Sequence, residues 1–104
     1  MSQPLSVDSK TLDFRRAVLA ALDSYTEYEY YLKCEFGYTA GGVACELYRP
    51  ALKQRTQDRF ALSYTTFDDA ACIPPKIVCD ALGVPHDFFT DKTFADVRLH
   101  LRVD

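Results

Sequence analysis

The chain has 104 residues, 48% of them hydrophobic and 26% charged, with 12 Lys and Arg against 15 Asp and Glu for a net charge of -3. That length fits one domain, and the balance excludes a disordered chain and argues against whole-surface attraction to nucleic acid or anionic membrane. The longest apolar run, AVLAAL at residues 17 to 22, is too short to span a bilayer.

The opening MSQPLSVDSK has no charged segment leading into an apolar one, so no secretory leader is expected and the chain reads as cytoplasmic. Residues 1–8 read as a short polar tail and 9–104 as a single α+β domain. Asp8 or Ser9 can accept from the free N–H groups of a first helical turn. Phe14, Ala17, Val18, Ala21, Leu22, Tyr25 and Tyr28 then recur at helical spacing and predict a helix over 9–28. Arg16, Asp23 and Glu27 fall on its solvent face. Leu12 and Leu19 lie on the flank, where they widen the buried arc or meet a partner.

The period changes to two in YLKCEFGYTAGGVACELYR, residues 31 to 49. A hairpin whose paired numbers sum to 79, with residues 38 to 41 as its loop, sets Leu32 against Leu47, Cys34 against Cys45 and Phe36 against Val43. The same register sets Lys33 against Glu46 and Tyr31 against Tyr48 on the other side. ALKQRTQD, from residue 51, has no apolar period and reads as a polar connection. RFALSYTT, residues 59 to 66, alternates with Phe60, Leu62 and Tyr64 inward and predicts a third strand. Pro75 suits a first helical turn, Ile77, Val78, Ala81 and Leu82 form a short apolar face, and Gly83 suits the residue after a helix end. PHDFF adds a turn. ADVRLHLRVD alternates at Ala95, Val97, Leu99, Leu101 and Val103 and predicts a last strand, against a competing helical reading through Phe94, Val97 and Leu101.

The expected order is α-β-β-β-α-β, a mainly antiparallel sheet with the long N-terminal helix packed on one face. Its first five elements resemble the double-stranded-RNA-binding domain in order alone. GYTAGG and IPPKIVCD stand where that family carries a GPxH-type turn and a lysine cluster. DALGVPHDFF, residues 80 to 89, resembles the end of the helix-turn-helix domain of phage-type repressors, although the upstream half of that motif would fall on predicted strands.

Cysteines are spaced C-x10-C-x26-C-x6-C, without the close pair that holds zinc from one turn. Packing is the expected role of Cys34, Cys45, Cys72 and Cys79. A four-sulfur metal site and a Cys34–Cys45 disulfide are the alternatives, and no cofactor is expected. His86 and His100 are the only imidazoles and no glycine-rich phosphate loop is present, so catalysis is not expected.

Charge is unevenly distributed. Arg49, Lys53, Arg55 and Arg59 form a basic segment, whereas residues 60 to 97 carry six acids against two bases. Tyr31, Tyr48, Arg98, His100 and Arg102 are expected to share an outer sheet face suited to protein binding. The expected function is a small non-enzymatic protein-binding module, an inhibitor or accessory factor acting on a larger protein or nucleoprotein machine. An anti-CRISPR-like phage or mobile-element setting suits its size. The alternative is nucleic-acid binding through the Arg49–Arg59 segment and the Arg98/Arg102 face. A homodimer could form through the last strand as a sheet edge or through Leu12 and Leu19; no membrane partner is expected.

Overall fold

The computed structural model describes residues 8 to 103, so most of the expected polar tail lies outside the described residues. Helix α1 spans Ser9–Ala21 and is capped by Asp8, whose carboxylate accepts from the Thr11 N–H at 2.9 Å. It continues as one tight turn, Leu22–Ser24, and stops short of the expected residue 28. Residues 26 to 28 are instead drawn alongside a strand: the Tyr28 N–H donates to Tyr38 O at 2.7 Å, and the Tyr38 N–H to Thr26 O at 2.8 Å.

Strands β1 (Lys33–Cys34) and β2 (Gly37–Tyr38) form a short hairpin, pairing Lys33 with Tyr38 and Cys34 with Gly37. The long hairpin expected over 31–48 does not form. Its second half is helix α2, Ala40–Leu47, started by Thr39, whose hydroxyl accepts from the Gly42 N–H at 3.0 Å. All of residues 40 to 45 are buried, so this helix has no polar face to display a 3.6-residue period. Gly42 serves close packing rather than a turn: a Cβ there would sit 1.6 Å from the Leu32 carbonyl oxygen. The expected partners were separated accordingly. Tyr48 packs on Phe14 with ring centroids 5.5 Å apart, and Tyr31 stacks elsewhere. Lys33 and Glu46 do meet, at 3.3 Å, but as a bridge from β1 to α2.

Strands β3 (Gln54–Arg59) and β4 (Leu62–Phe67) form the principal hairpin, so the expected polar connection is largely strand. Five of the six β3 residues are exposed, so neither of its faces had to be apolar. The sheet is antiparallel throughout, in the order β2-β1-β4-β3. Helix α3, Lys76–Leu82, lies where the sequence placed it and ends at Gly83 in the left-handed region, φ 69°. The expected last strand is helix α4, Phe94–His100, opened by a reciprocal cap between Thr93 and Asp96. Phe94, Val97 and Leu101 are buried while Ala95 and Leu99 face solvent, as the helical spacing requires.

The chain is therefore one α+β domain with an N-terminal helix and an antiparallel sheet, in the order α-β-β-α-β-β-α-α rather than α-β-β-β-α-β. The principal packing partners of α1 are α3 and α2. The core joins Val18 and Leu22 of α1 and its following turn to Leu32, Val43, Phe67, Val78, Leu82 and Val97. α2 interrupts the strand order on which the likeness to the double-stranded-RNA-binding domain stood. Upstream of α3 lie β4 and a loop, not the scanning helix of a repressor.

Candidate interaction surface

Residues directly opposite in paired strands share a face. Arg55, Gln57 and Arg59 of β3 stand opposite Thr66, Tyr64 and Leu62 of β4, and Tyr64 also stands opposite Cys34 of β1. The other face carries the fully buried Phe67, and Lys33 with its bridge to Glu46 on α2; that is the core side. The Arg55–Tyr64–Arg59 side looks outward.

Aromatic rings collect on this outer side. Tyr31 stacks flat on Tyr64, with centroids 4.1 Å apart and planes within 8°, and Tyr30 meets the edge of Tyr31 at 4.7 Å. Tyr30 is 58% exposed. The neighbouring Cys72 side chain raises its pKa above the ordinary tyrosine value. Beside the β1–β2 turn, Phe36 is 62% exposed and stacks with Tyr28 at 6.3 Å. A cleft of about 480 Å³ opens next to Tyr30, lined among others by Glu27, Tyr28, Cys72, Phe89 and Asp91. Glu27 is committed there, accepting from the Phe94 N–H at 3.0 Å.

The β3–β4 hairpin ends in a two-residue turn, Phe60–Ala61, with φ of 53° and 62°. Both values lie in the left-handed region that Asn and Gly occupy most readily. Phe60, expected inward from the strand alternation, is 89% exposed and lies outward at the tip. The Arg59 guanidinium sits 5.2 Å from its ring centroid. Among the described residues, no carboxylate lies within ion-pair distance of Lys53, Arg55 or Arg59.

The other sequence candidates are dispersed. Arg49 pairs with Glu46 at 3.2 Å in the turn after α2. Arg98 lies on α4 and holds Asp23 at 2.6 Å; His100 ends α4, exposed. Arg102 follows α4, and its carbonyl accepts from Arg15 Nη1 at 2.8 Å. Arg98, His100 and Arg102 therefore do not share a sheet face with Tyr31, and the edge-strand route to a dimer disappears with the last strand. Of the two flank leucines, Leu19 packs against the core.

Cys34 pairs with Gly37 and Tyr64, Cys45 lies inside α2, and all four cysteines are free thiols. Among the described residues, no three His, Cys, Asp or Glu side chains are grouped to hold a metal ion, so the four-sulfur alternative is not assembled. Burial pushes the Cys45 thiol strongly up, and Cys79 rises for the same reason, which disfavours the thiolate that metal binding requires. His86 Nε2 lies 3.0 Å from the Pro74 carbonyl oxygen, a structural tie.

Sequence reasoning found Tyr31, Lys53, Arg55 and Arg59 but missed Tyr30, Tyr64, Phe36 and Phe60 as surface residues. The missing signal was the turn: FA carries neither of the residues that announce a tight hairpin. Comparison with protein-family models, with curated proteins and with solved structures found no match. Among the described residues, no helix is long and apolar enough to cross a membrane.

Proposed function

We propose that this chain is a small, non-enzymatic protein-binding module that docks on a larger protein or nucleoprotein assembly through its outer sheet face and hairpin tip. The observation that carries the reading is Phe60. A non-glycine residue in the left-handed region costs about 1–2 kcal/mol, and an aromatic ring left 89% exposed, with only the Arg59 guanidinium against it, returns little to the fold. Seating that ring in a partner pocket would contribute about 1.5–3 kcal/mol. Arg59 beside it, and Tyr30, Tyr31 and Arg55 farther along the outer side of the sheet, are residue types that concentrate binding energy in protein interfaces. A module of this kind acts by occupying a surface, which suits an inhibitor or accessory factor, with the anti-CRISPR-like setting as one case. Four free thiols fit a reducing cytoplasm.

One specific observation favours a second reading. Lys53, Arg55 and Arg59 are cations without an ion-pair partner among the described residues, beside stacked tyrosines, a combination that also suits single-stranded nucleic acid. Asp58 and Glu35 near the same hairpin weigh toward protein.

The test is capture from a lysate of the source organism with the intact chain and with Phe60→Ser, each with and without nuclease and at two salt concentrations. A protein retained through nuclease and higher salt by the intact chain, and lost by Phe60→Ser, is the expected result. Nucleic acid that is recovered and then released at higher salt supports the second reading.

A further inference from the structure

The cations of the β3–β4 hairpin stand next to an unpaired strand edge. β3 is the outermost strand of the sheet, joined on one side only, to β4. A two-residue turn makes the flanking pair, Arg59 and Leu62, a hydrogen-bonded pair, and bonded and non-bonded pairs then alternate along the ladder. Two contacts agree with that phase. The Asp68 N–H donates to Lys53 O at 2.7 Å, one step beyond the ladder in the bonded series. Ser63, opposite Asp58 in the non-bonded series, turns its carbonyl away from β3 and accepts from the Glu35 N–H at 3.3 Å. Gln54, Thr56 and Asp58 therefore direct their backbone N–H and C=O groups to the open edge.

A second copy of the chain is a poor occupant. The strand twofold that keeps the outer face continuous pairs residues of like parity, and its centred registers set Arg55 against Arg59 or against itself, or Lys53 against Arg59. Like charges directly opposite are destabilising. The same alternation of Lys53, Arg55 and Arg59 favours carboxylates at matching positions of an added strand. Those cations have no carboxylate among the described residues to compete for them.

We infer that β3 receives an extended acidic segment of the partner protein as a fifth strand, with alternate carboxylates opposite Lys53, Arg55 and Arg59. This deepens, and rests on, the reading of the chain as a protein-binding module. Backbone hydrogen bonds to Gln54, Thr56 and Asp58 supply affinity, and the alternate side chains supply specificity. Phe60 lies one residue beyond the strand, where the ring can follow the added segment into its parent protein.

The test uses the full chain and two synthetic probes, a capped peptide of alternating glutamate and valine and the same peptide with lysine for glutamate. Amide hydrogen exchange at residues 54, 56 and 58 is the readout. The glutamate peptide should slow exchange at these positions by about tenfold or more, because bonded amides exchange only through opening, while the lysine peptide should not. Thr56→Pro removes an outward N–H that the β3–β4 ladder does not use, and should abolish the effect. Arg55→Glu with Arg59→Glu should transfer the preference to the lysine peptide, which tests the inference even if the proline variant fails to fold.

Equal protection by both peptides, binding without protection of these amides, or protection by oligothymidylate instead of the glutamate peptide would overturn it. Partner capture lost by Phe60→Ser but kept by a folded Thr56→Pro would leave the protein-binding reading standing and remove the added strand. Capture unaffected by either variant would remove both.

Discussion

Arg15 Nε donates to the Leu82 carbonyl at 2.7 Å, joining the first helix to the end of the third across 67 residues. Arg15 as a whole is 5% exposed, and its Nη2 and Nη1 donate to Gly83 O at 3.1 Å and Arg102 O at 2.8 Å. Each acceptor is a backbone carbonyl. Two of them belong to the C-terminal end of α3, where the helix dipole favours positive charge. One side chain thus closes a helix end and ties down the segment after α4.

Arg15→Met should keep much of the side-chain volume and strand those carbonyls. Hydrogen bonds to charged groups are worth about 1.5–3 kcal/mol, so a loss of about 3 kcal/mol is expected in urea unfolding. Arg16→Met, one residue along and exposed, should cost well under about 1 kcal/mol. Equal losses for the two would refute the tie.

Gly42→Ala should prevent folding to the native state. The added Cβ would lie 1.6 Å from Leu32 O and 2.5 Å from Leu32 C, both backbone atoms that cannot swing aside. Gly83→Ala should be milder, near 1 kcal/mol for the left-handed residue after a helix, because its nearest neighbour is the Arg15 Nη2 atom at 3.2 Å. Circular dichroism and thermal unfolding of both variants separate the two cases.

Replacing Phe60 by Asn and Ala61 by Gly should raise stability by about 1 kcal/mol, since these residues fit both left-handed positions of the turn. Partner capture should fall at the same time. A variant that is both more stable and fully active in capture would mean that the tip is not an anchor.

The Thr93–Asp96 cap should give a pH dependence of known sign. Hydrogen bonds from the Thr93 backbone, then from its side chain, lower the Asp96 pKa below 3.8. A carboxylate depressed in the folded state adds stability that is present above its unfolded pKa and lost as pH falls through the folded one. Asp96→Ala should therefore destabilise more at pH ~7 than at pH ~2. A penalty that is constant with pH in urea titrations would contradict the cap.

How far the sequence reached depended on whether a segment carries a face. α1 has one side in the core and another in water, so its start, its cap and the burial of Val18 and Leu22 were readable, whereas Ala17, expected on the buried face, is exposed and Arg15 is buried instead. Its end was not, because a tertiary bond from Tyr28 to Tyr38 decides it. α3 was readable for the same reason, with Pro75 before it and Gly83 after it as local punctuation. α2 is buried on every side over residues 40 to 45 and β3 is exposed on both faces, and neither condition leaves a period to count. In α4 two periods coexist, and the burial of Phe94 chose between them. Of the interaction surface, the composition already showed tyrosines and a basic segment.

The chain by itself determined a single α+β domain opened by a capped helix, its acidic balance, and a local excess of cations before residue 60. These are local or additive properties, and they survive any arrangement of the elements. Only the tertiary structure decided that Tyr31 lies on Tyr64 rather than Tyr48, that Phe60 stands at an exposed tip, and that Arg15 is buried. Each depends on which strand pairs with which and where a helix can press against backbone. Such choices are settled by the packing of distant residues together, as at Gly42 against Leu32.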